Sequence, residues 1–294
     1  MLPEYSIRKA TKQDFQALTF FIGASEYVHR HLDWRTSLDW LGYEPYLILQ
    51  KNEVIQAVLA CPPDPFGIAW IRLFCVSSSI IKPFQAWDAL FPEVQLALKP
   101  GFPITFAALG LQDWFINLLT ENNFAHHQDI VVLEWSGNLP AALSIPQGMI
   151  LRPMFMSDLP EVQILDGLAF DQLWQNSLDG LTLALNQAAY ATVLKLENRI
   201  IAYQISTPTS FGVHLARLAV LPGFQRQHIG SMLVRNLQEH FGEKGFEMVS
   251  VNTQDDNQAS LALYRKMGFH LTGDSFPVYT YSMAPISPLP IETS

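Results

Sequence analysis

"LAVLPGFQRQHIGSMLV", residues 218–234, is the stretch on which the reading of this chain turns. An apolar run ends at Pro222-Gly223, the polar segment Gln225-Arg226-Gln227-His228 follows, and Ile229-Gly230 opens a second apolar run. The segment reads as a strand handing over to a helix. Most such links are two to six residues of plain turn chemistry. This one leaves backbone N–H groups pointing at something negative. The first turn of a helix carries unpaired N–H groups and about half a positive charge, an arrangement that binds phosphate. Glycine allows the close approach such a cradle needs. Gly230 begins the apolar helix "GSMLVRNLQEHF", so the cradle is predicted at its N-terminus.

Working outward, the chain is written twice. "YSIRKATKQDFQAL" matches "MILRPMFMSDLPEV", with Arg8 over Arg152 and Asp14 over Asp158, 144 positions apart. Ala57 then falls over Ala202, Arg72 over Arg217 and Phe124 over Phe269, each pair 145 apart. Four matches in order, one 144 and three 145 positions apart, indicate a tandem duplication, joined near "SGNLPAALSIPQG", residues 136–148. Each half reads as a short strand, a helix opened by a polar turn, and a strand pair turned at Lys51-Asn52-Glu53 or Glu197-Asn198-Arg199. A buried strand, a long helix, a strand, a short helix and a terminal strand follow. In the second half these last five fall at 213–221, 230–242, 247–252, 257–267 and 277–283. The pattern predicts an α/β sheet with helices on its faces, twice over. The expected domains are 1–138 and 149–286, with a linker at 139–148 and a proline-rich tail at 287–294.

The repeat supplies its own control. The first half has "LFCVSSSIIKPFQAWDAL" where the second has the loop; glycines and polar segment are gone, and Pro83 sits in the turn. The loop is therefore not needed for folding, and its presence in one copy argues for a ligand there.

Bulk composition narrows the partners. A net charge of -9 with no Lys/Arg run disfavours nucleic acid, so any anionic ligand must be held locally. Cys61 and Cys75 show no metal-ligand spacing and read as free thiols in a reducing compartment. No stretch has the ~20 apolar residues of a membrane span, and the N-terminus lacks the apolar core of a signal peptide. The expectation is a cytoplasmic protein without metal.

The hexad Gln225-Arg226-Gln227-His228-Ile229-Gly230 resembles the acyl-CoA signature of the GCN5-related N-acetyltransferase (GNAT) superfamily, Gln/Arg-x-x-Gly-x-Gly/Ala. His228 stands where the first glycine is usual. Downstream, "NQASLALYRKMGF" is similar to the family's Asn-(x)6-Tyr-x-x-x-Gly-Phe helix through Asn257, Tyr264, Gly268 and Phe269. The resemblance implies two tandem GNAT domains, each a mixed, mostly antiparallel sheet flanked by helices, the N-terminal one degenerate. It implies acetyl-CoA as co-substrate, with Leu218, Ala219 and Val220 bonding the pantetheine arm. The amides of Gln225, Arg226, Gln227, His228, Ile229, Gly230 and Ser231 would hold the pyrophosphate, and Asn257 would contact the arm. The fourth and fifth strands would splay to admit the thioester.

Acetyl transfer to an amine requires deprotonation of the amine, polarisation of the carbonyl and protonation of the departing thiolate. Tyr264 is the candidate acid, since a phenol holds its proton at neutral pH. His214 is the candidate base, at the start of the fourth strand. Strand alternation sets His214, Ala216, Leu218 and Val220 on one face and Arg217 on the other. Arg217, paralleled by Arg72 in the other half, is read as structural. Phe170, Asp171 and Trp174 lie between helices in the region that lines the acceptor cleft of related enzymes. The function implied is transfer of acetyl to a primary amine of a small molecule or peptide, by direct attack in a ternary complex. Two alternatives are a non-catalytic acyl-CoA-binding regulator and a tandem acyltransferase for a bulkier metabolite, like the mycothiol synthase group. The first half holds six of the seven tryptophans and is expected to pack on its twin. A homodimer is left open.

Overall fold

The computed structural model describes residues 5–77, 81–98, 102–137, 139–141, 143–210, 212–242 and 248–283. Two compact units emerge, one of Met1–His127 with Val278–Ser294 and one of Gln128–Pro277. The tail 287–294, Glu247 of the expected strand, and Asn138 and Ala142 of the joint lie outside the described residues.

In unit 1 the order is β1 (Ser6–Lys9), α1 (Phe15–Ala24), β2 (Tyr27–Arg30), β3 (Tyr46–Lys51) and β4 (Val54–Ala60). Then come β5 (Ile68–Trp70), β6 (Leu73–Val76), α2 (Pro83–Ala97), β7 (Ile104–Leu109), α3 (Asp113–Glu121) and the start of β8 (Ala125–Ser136). Asn52 and Glu53 both take left-handed φ (49° and 65°), as a two-residue hairpin turn with the strands' twist requires. Five strands pair in the order β1-β3-β4-β6-β2, while β5 runs parallel to β7. The apolar faces of α2 and α3 bury Trp87, Leu90, Phe115 and Leu118 against Leu59, Phe74 and Phe106.

Unit 2 continues with β9 (Met149–Pro153), α4 (Leu159–Ala169), α5 (Leu178–Asn186), β10 (Tyr190–Leu196) and β11 (Arg199–Pro208). After these come β12 (Val213–Val220), α6 (Ile229–Gly242), β13 (Met248–Gln254), α7 (Gln258–Lys266) and β14 (His270–Met283). Strands β9 to β13 pair as β9-β10-β11-β12-β13, antiparallel except β12 with β13. Aligned residues of the repeat do the same work in both copies. Arg8 grips Asp14 with two bonds of 2.7 and 3.0 Å, and Arg152 grips Asp158 at 2.7 and 2.8 Å. Each pair ties a first strand to the turn that opens a helix, and it holds both carboxyls below the usual range, Asp14 at about 2.

The compact units do not coincide with the sequence halves, because the halves exchange their terminal strands. β8 ends the first half yet pairs with β13 from Ile130 to Ser136. β14 ends the second half yet its last six residues pair with β7. The two strands are repeat equivalents, and each buries an aliphatic residue at the aligned position, Leu133 and Val278. Each unit is thereby completed by a strand from the other half of the sequence.

Candidate active site

The site starts from an irregularity in β12. Along β11 the register shifts between Ile205, opposite Arg217, and Ser206, opposite Leu215, leaving Ala216 as an extra residue. Such a β-bulge bends its strand and raises its twist. On the other side, β12 pairs with β13 only through Val213, His214 and Leu215. Beyond that the two strands do not pair, so Leu218, Ala219 and Val220 keep their partners on β11 and present an inner edge that no described strand pairs.

The bulge also corrects the predicted facing. Val213, Leu215 and, more peripherally, Leu218 pack in one cluster with Val234, Leu237, Leu261 and Tyr264 of α6 and α7. Arg217 instead reaches α4. The extra residue shifts the alternation by one, so Arg217 shares the face of His214 and does not oppose it.

At the end of β12 the turn Pro222–Phe224 leads into the loop. Gln225, Arg226, Gln227 and His228 are exposed, and Arg226 and His228 have φ of 60° and 62°. His228 thus keeps the left-handed backbone suited to the glycine it replaces. The Met232 N–H makes its i→i−4 bond to the His228 carbonyl at 3.0 Å, so the amides of Ile229, Gly230 and Ser231 precede the helix's own ladder. Gly230 serves packing: a Cβ there would meet Leu263 of α7 at 3.1 Å. Lys266 Nζ lies 3.2 Å from His228 Nδ1, placing a cation beside the loop.

Tyr264 is 5 % exposed on α7, and burial pushes its phenol well above the usual value, so it holds its proton. Its hydroxyl bonds to no described residue and is not among the fully buried unpartnered atoms. Asn257 caps α7: its Oδ1 accepts from Ser260 N–H at 3.1 Å and its Nδ2 donates to Gln254 at 3.2 Å. His214 has Nδ1 2.9 Å from Ser250 Oγ on β13. Burial lowers its pKa, against a smaller upward pull from Asn252, so the imidazole is neutral at neutral pH.

On the His214 face stands a buried polar cluster. Arg217 donates to Asp166 of α4 at 2.6 and 2.8 Å and to the Trp174 carbonyl at 2.6 Å, and its guanidinium lies 3.6 Å over the Phe170 ring. Tyr203 also donates to Asp166, and so does the Asn176 N–H, at 2.8 Å. Phe170 and Trp174 are therefore brought together around Arg217, while Asp171 is exposed in the same turn. Sequence reasoning missed Asp166, Tyr203 and Ser250. A fixed arginine on a buried strand implies an acid nearby, but nothing in the spacing said which.

Unit 1 resolves the same junction differently. β5 pairs with β7 through three residues, Ile68, Ala69 and Trp70, the repeat equivalents of Val213, His214 and Leu215. The strand then breaks at Ile71-Arg72, and β6 resumes in the other sheet. Here the inner edge is taken: β2 pairs with it from Tyr27↔Val76 to Arg30↔Leu73. In unit 2 the segment aligned with β2 is the short turn Gln172–Trp174 bound to Arg217.

Residues 155–269 match the acetyltransferase (GNAT) family. The ribosomal protein bS18-alanine N-acetyltransferase of Salmonella typhimurium is 28% identical over 116 residues, 39% of this chain and 76% of that protein. Two solved structures share the fold at 13% identity. One is a GCN5-related N-acetyltransferase from Sphaerobacter thermophilus (TM-score 0.62, 97% of this chain, 98% of that one). The other is a tandem GNAT protein from the clavulanic acid biosynthesis pathway (TM-score 0.63, 97% and 100%). No helix among the described residues is long and apolar enough to cross a membrane. Residues 155–269 thus carry a domain of the acetyltransferase (GNAT) family, and over the rest of the chain the likeness to these solved structures is one of fold.

Proposed function

We propose that unit 2 transfers the acetyl group of acetyl-CoA to a primary amine of a small molecule or peptide, both substrates being bound at once. The observation that carries this reading is the inner edge of Leu218, Ala219 and Val220, which no described strand pairs, running straight into the exposed loop Gln225–His228 at the head of α6. An extended chain with amide groups adds to such an edge as a strand would. The diphosphate then falls at the helix N-terminus. His228 fits this role, since its left-handed φ leaves the loop backbone where a glycine would put it.

Acetyl-CoA supplies the activated thioester; the chain's residues do the rest. Tyr264 gives its retained proton to the departing sulfur. His214, neutral and oriented by Ser250, takes the proton of the incoming ammonium directly or through water. Phe170, Trp174 and Asp171 line the acceptor side, where a carboxylate beside aromatics suits a cationic amine. The alanine acceptor of the bS18 relative makes peptides with an N-terminal alanine the first probes.

Calorimetry and turnover on the same protein test the reading. One acetyl-CoA site per chain is expected, and Tyr264→Phe is expected to lower turnover on the best amine of a panel by ~100-fold or more with the Kd unchanged. Two sites per chain, no binding, or no acetylation of any amine overturns the proposal; an unchanged rate removes Tyr264 from it.

A further inference from the structure

The face of unit 2 that carries His214 continues across two more strands. His214 of β12 lies opposite Ser250 of β13, and Ser250 in turn lies opposite Glu134 of β8. Directly opposed residues point to one side of a sheet. Their neighbours Val213, Leu215, Val249, Val251, Leu133 and Trp135 pack with α6 and α7 on the other side. By alternation the row His214, Ser250, Glu134 stands on the face turned away from those helices. The 2.9 Å contact of His214 Nδ1 with Ser250 Oγ fixes the first two there.

Glu134 is out of character for its place. Strands are poor in glutamate, and this one sits in an inner strand, flanked by β14 and β13. The residue is only partly exposed, yet its carboxylate makes no hydrogen bond or ion pair among the described residues. The strong cation of this face, Arg217, is already bonded to Asp166. A carboxylate drawn partly out of water without a partner attracts a cation more strongly than one in bulk solvent.

Two strand spacings of about 4.8 Å set the Cα atoms of His214 and Glu134 roughly 10 Å apart. An amine losing its proton to His214 therefore leaves the carboxylate free for a second positive group on the same molecule. Glu134 lies outside the matched residues 155–269 and in the half of the sequence without the loop. The exchange of β8 brings it into unit 2. We propose that Glu134 determines acceptor specificity, holding the second positive charge of a dicationic amine whose other nitrogen meets His214. This rests on acetyl transfer by unit 2 and narrows its acceptor.

Paired acceptors differing by one charge test it on the full chain. One pair is 1,5-diaminopentane and pentylamine; the other is two dipeptides with N-terminal alanine, followed by lysine or by norleucine. In kcat/KM the dication should be favoured by about tenfold at low salt, and the preference should shrink as ionic strength rises. Glu134→Gln should bring the ratio within a pair close to unity. Mere loss of structure lowers both rates and leaves the ratio alone. Glu134→Lys should reverse the preference, and it serves if the glutamine variant folds poorly. Turnover confined to acceptors of a single charge, a dication no better than its partner, or a preference that survives both substitutions overturns the assignment and leaves acetyl transfer standing. No acetylation of any amine overturns the transfer reading, and the assignment with it.

Discussion

β12 of unit 2 and the β5–β6 pair of unit 1 are the same strand in two copies, and they part from their parallel neighbours after the same three residues. What differs is what fills the gap. Unit 1 lays its own β2 along the freed edge; unit 2 keeps the equivalent segment in a turn held by Arg217. Backbone groups left bare inside a protein are costly, so such an edge must be paired, solvated or reserved for a ligand. The comparison teaches that one copy closed the edge with itself while the other left it free. Loss of the glycine loop in the first half then follows naturally, since a cradle beside an occupied edge has nothing to hold.

The largest expected effect comes from breaking the device that keeps the unit 2 segment off the edge. Asp166 is fully buried and answers Arg217, Tyr203 and the Asn176 amide together. Asp166→Ala leaves a buried arginine unpaired and should cost about 3–5 kcal/mol in urea unfolding. In unit 1 the matching arginine, Arg72, bonds Asp33 at 2.8 Å and also the Asp64 carbonyl at 2.7 Å, and lies 4.5 Å over Trp40. Asp33 is more accessible, so Asp33→Ala should cost less. Equal costs would mean that the two clusters are merely parallel supports.

Acid should open unit 1 through its closing strand. His29 of β2 is 1% exposed, stacked 3.9 Å from Phe115, with one ring nitrogen 3.1 Å from the Ile71 carbonyl. Burial pushes its pKa down to about 3, against an ordinary value of 6.5. The folded state therefore holds the ring neutral where the unfolded chain would protonate it. Stability from this source is complete above pH 6.5 and falls as the pH drops toward 3, a loss of roughly 3 kcal/mol by pH 4 at 1.36 kcal/mol per unit. His29→Phe should flatten that slope in pH-dependent melting of the whole chain. A slope unchanged by the substitution would detach His29 from the closure.

Much of this was legible beforehand, and the rest was hidden for physical reasons. Repeated pairs such as Arg8–Asp14 and Arg152–Asp158 survive as spacing within a few residues, so the duplication and most elements could be read directly. The loop and Tyr264 could be read because glycines, polar residues and a spaced Asn-Tyr pattern leave local marks. Strand exchange could not: β8 and β14 are equivalents, and a sequence does not say which of two interchangeable strands pairs with β13. Nor could the bulge at Ala216, whose extra residue is an ordinary alanine but reverses the side on which Arg217 stands. β2 was missed because "YVHR" is short and its value lies in what it covers.

The smallest effect separates the loop's shape from its side chain. His228 holds φ at 62°, a conformation that costs a non-glycine residue roughly 1 kcal/mol, and the second copy tolerates it in a loop the first copy has discarded. His228→Gly should relieve this strain and stabilise the fold by about 0.5–1 kcal/mol, less whatever entropy the new glycine gives the unfolded chain. If backbone amides alone hold the diphosphate, acetyl-CoA affinity by calorimetry should stay within about twofold. A loss of tenfold or more would show instead that the imidazole, with Lys266 at 3.2 Å, grips the ligand through its side chain. The histidine would then be a gain in the copy that kept its edge free, not a tolerated departure from glycine.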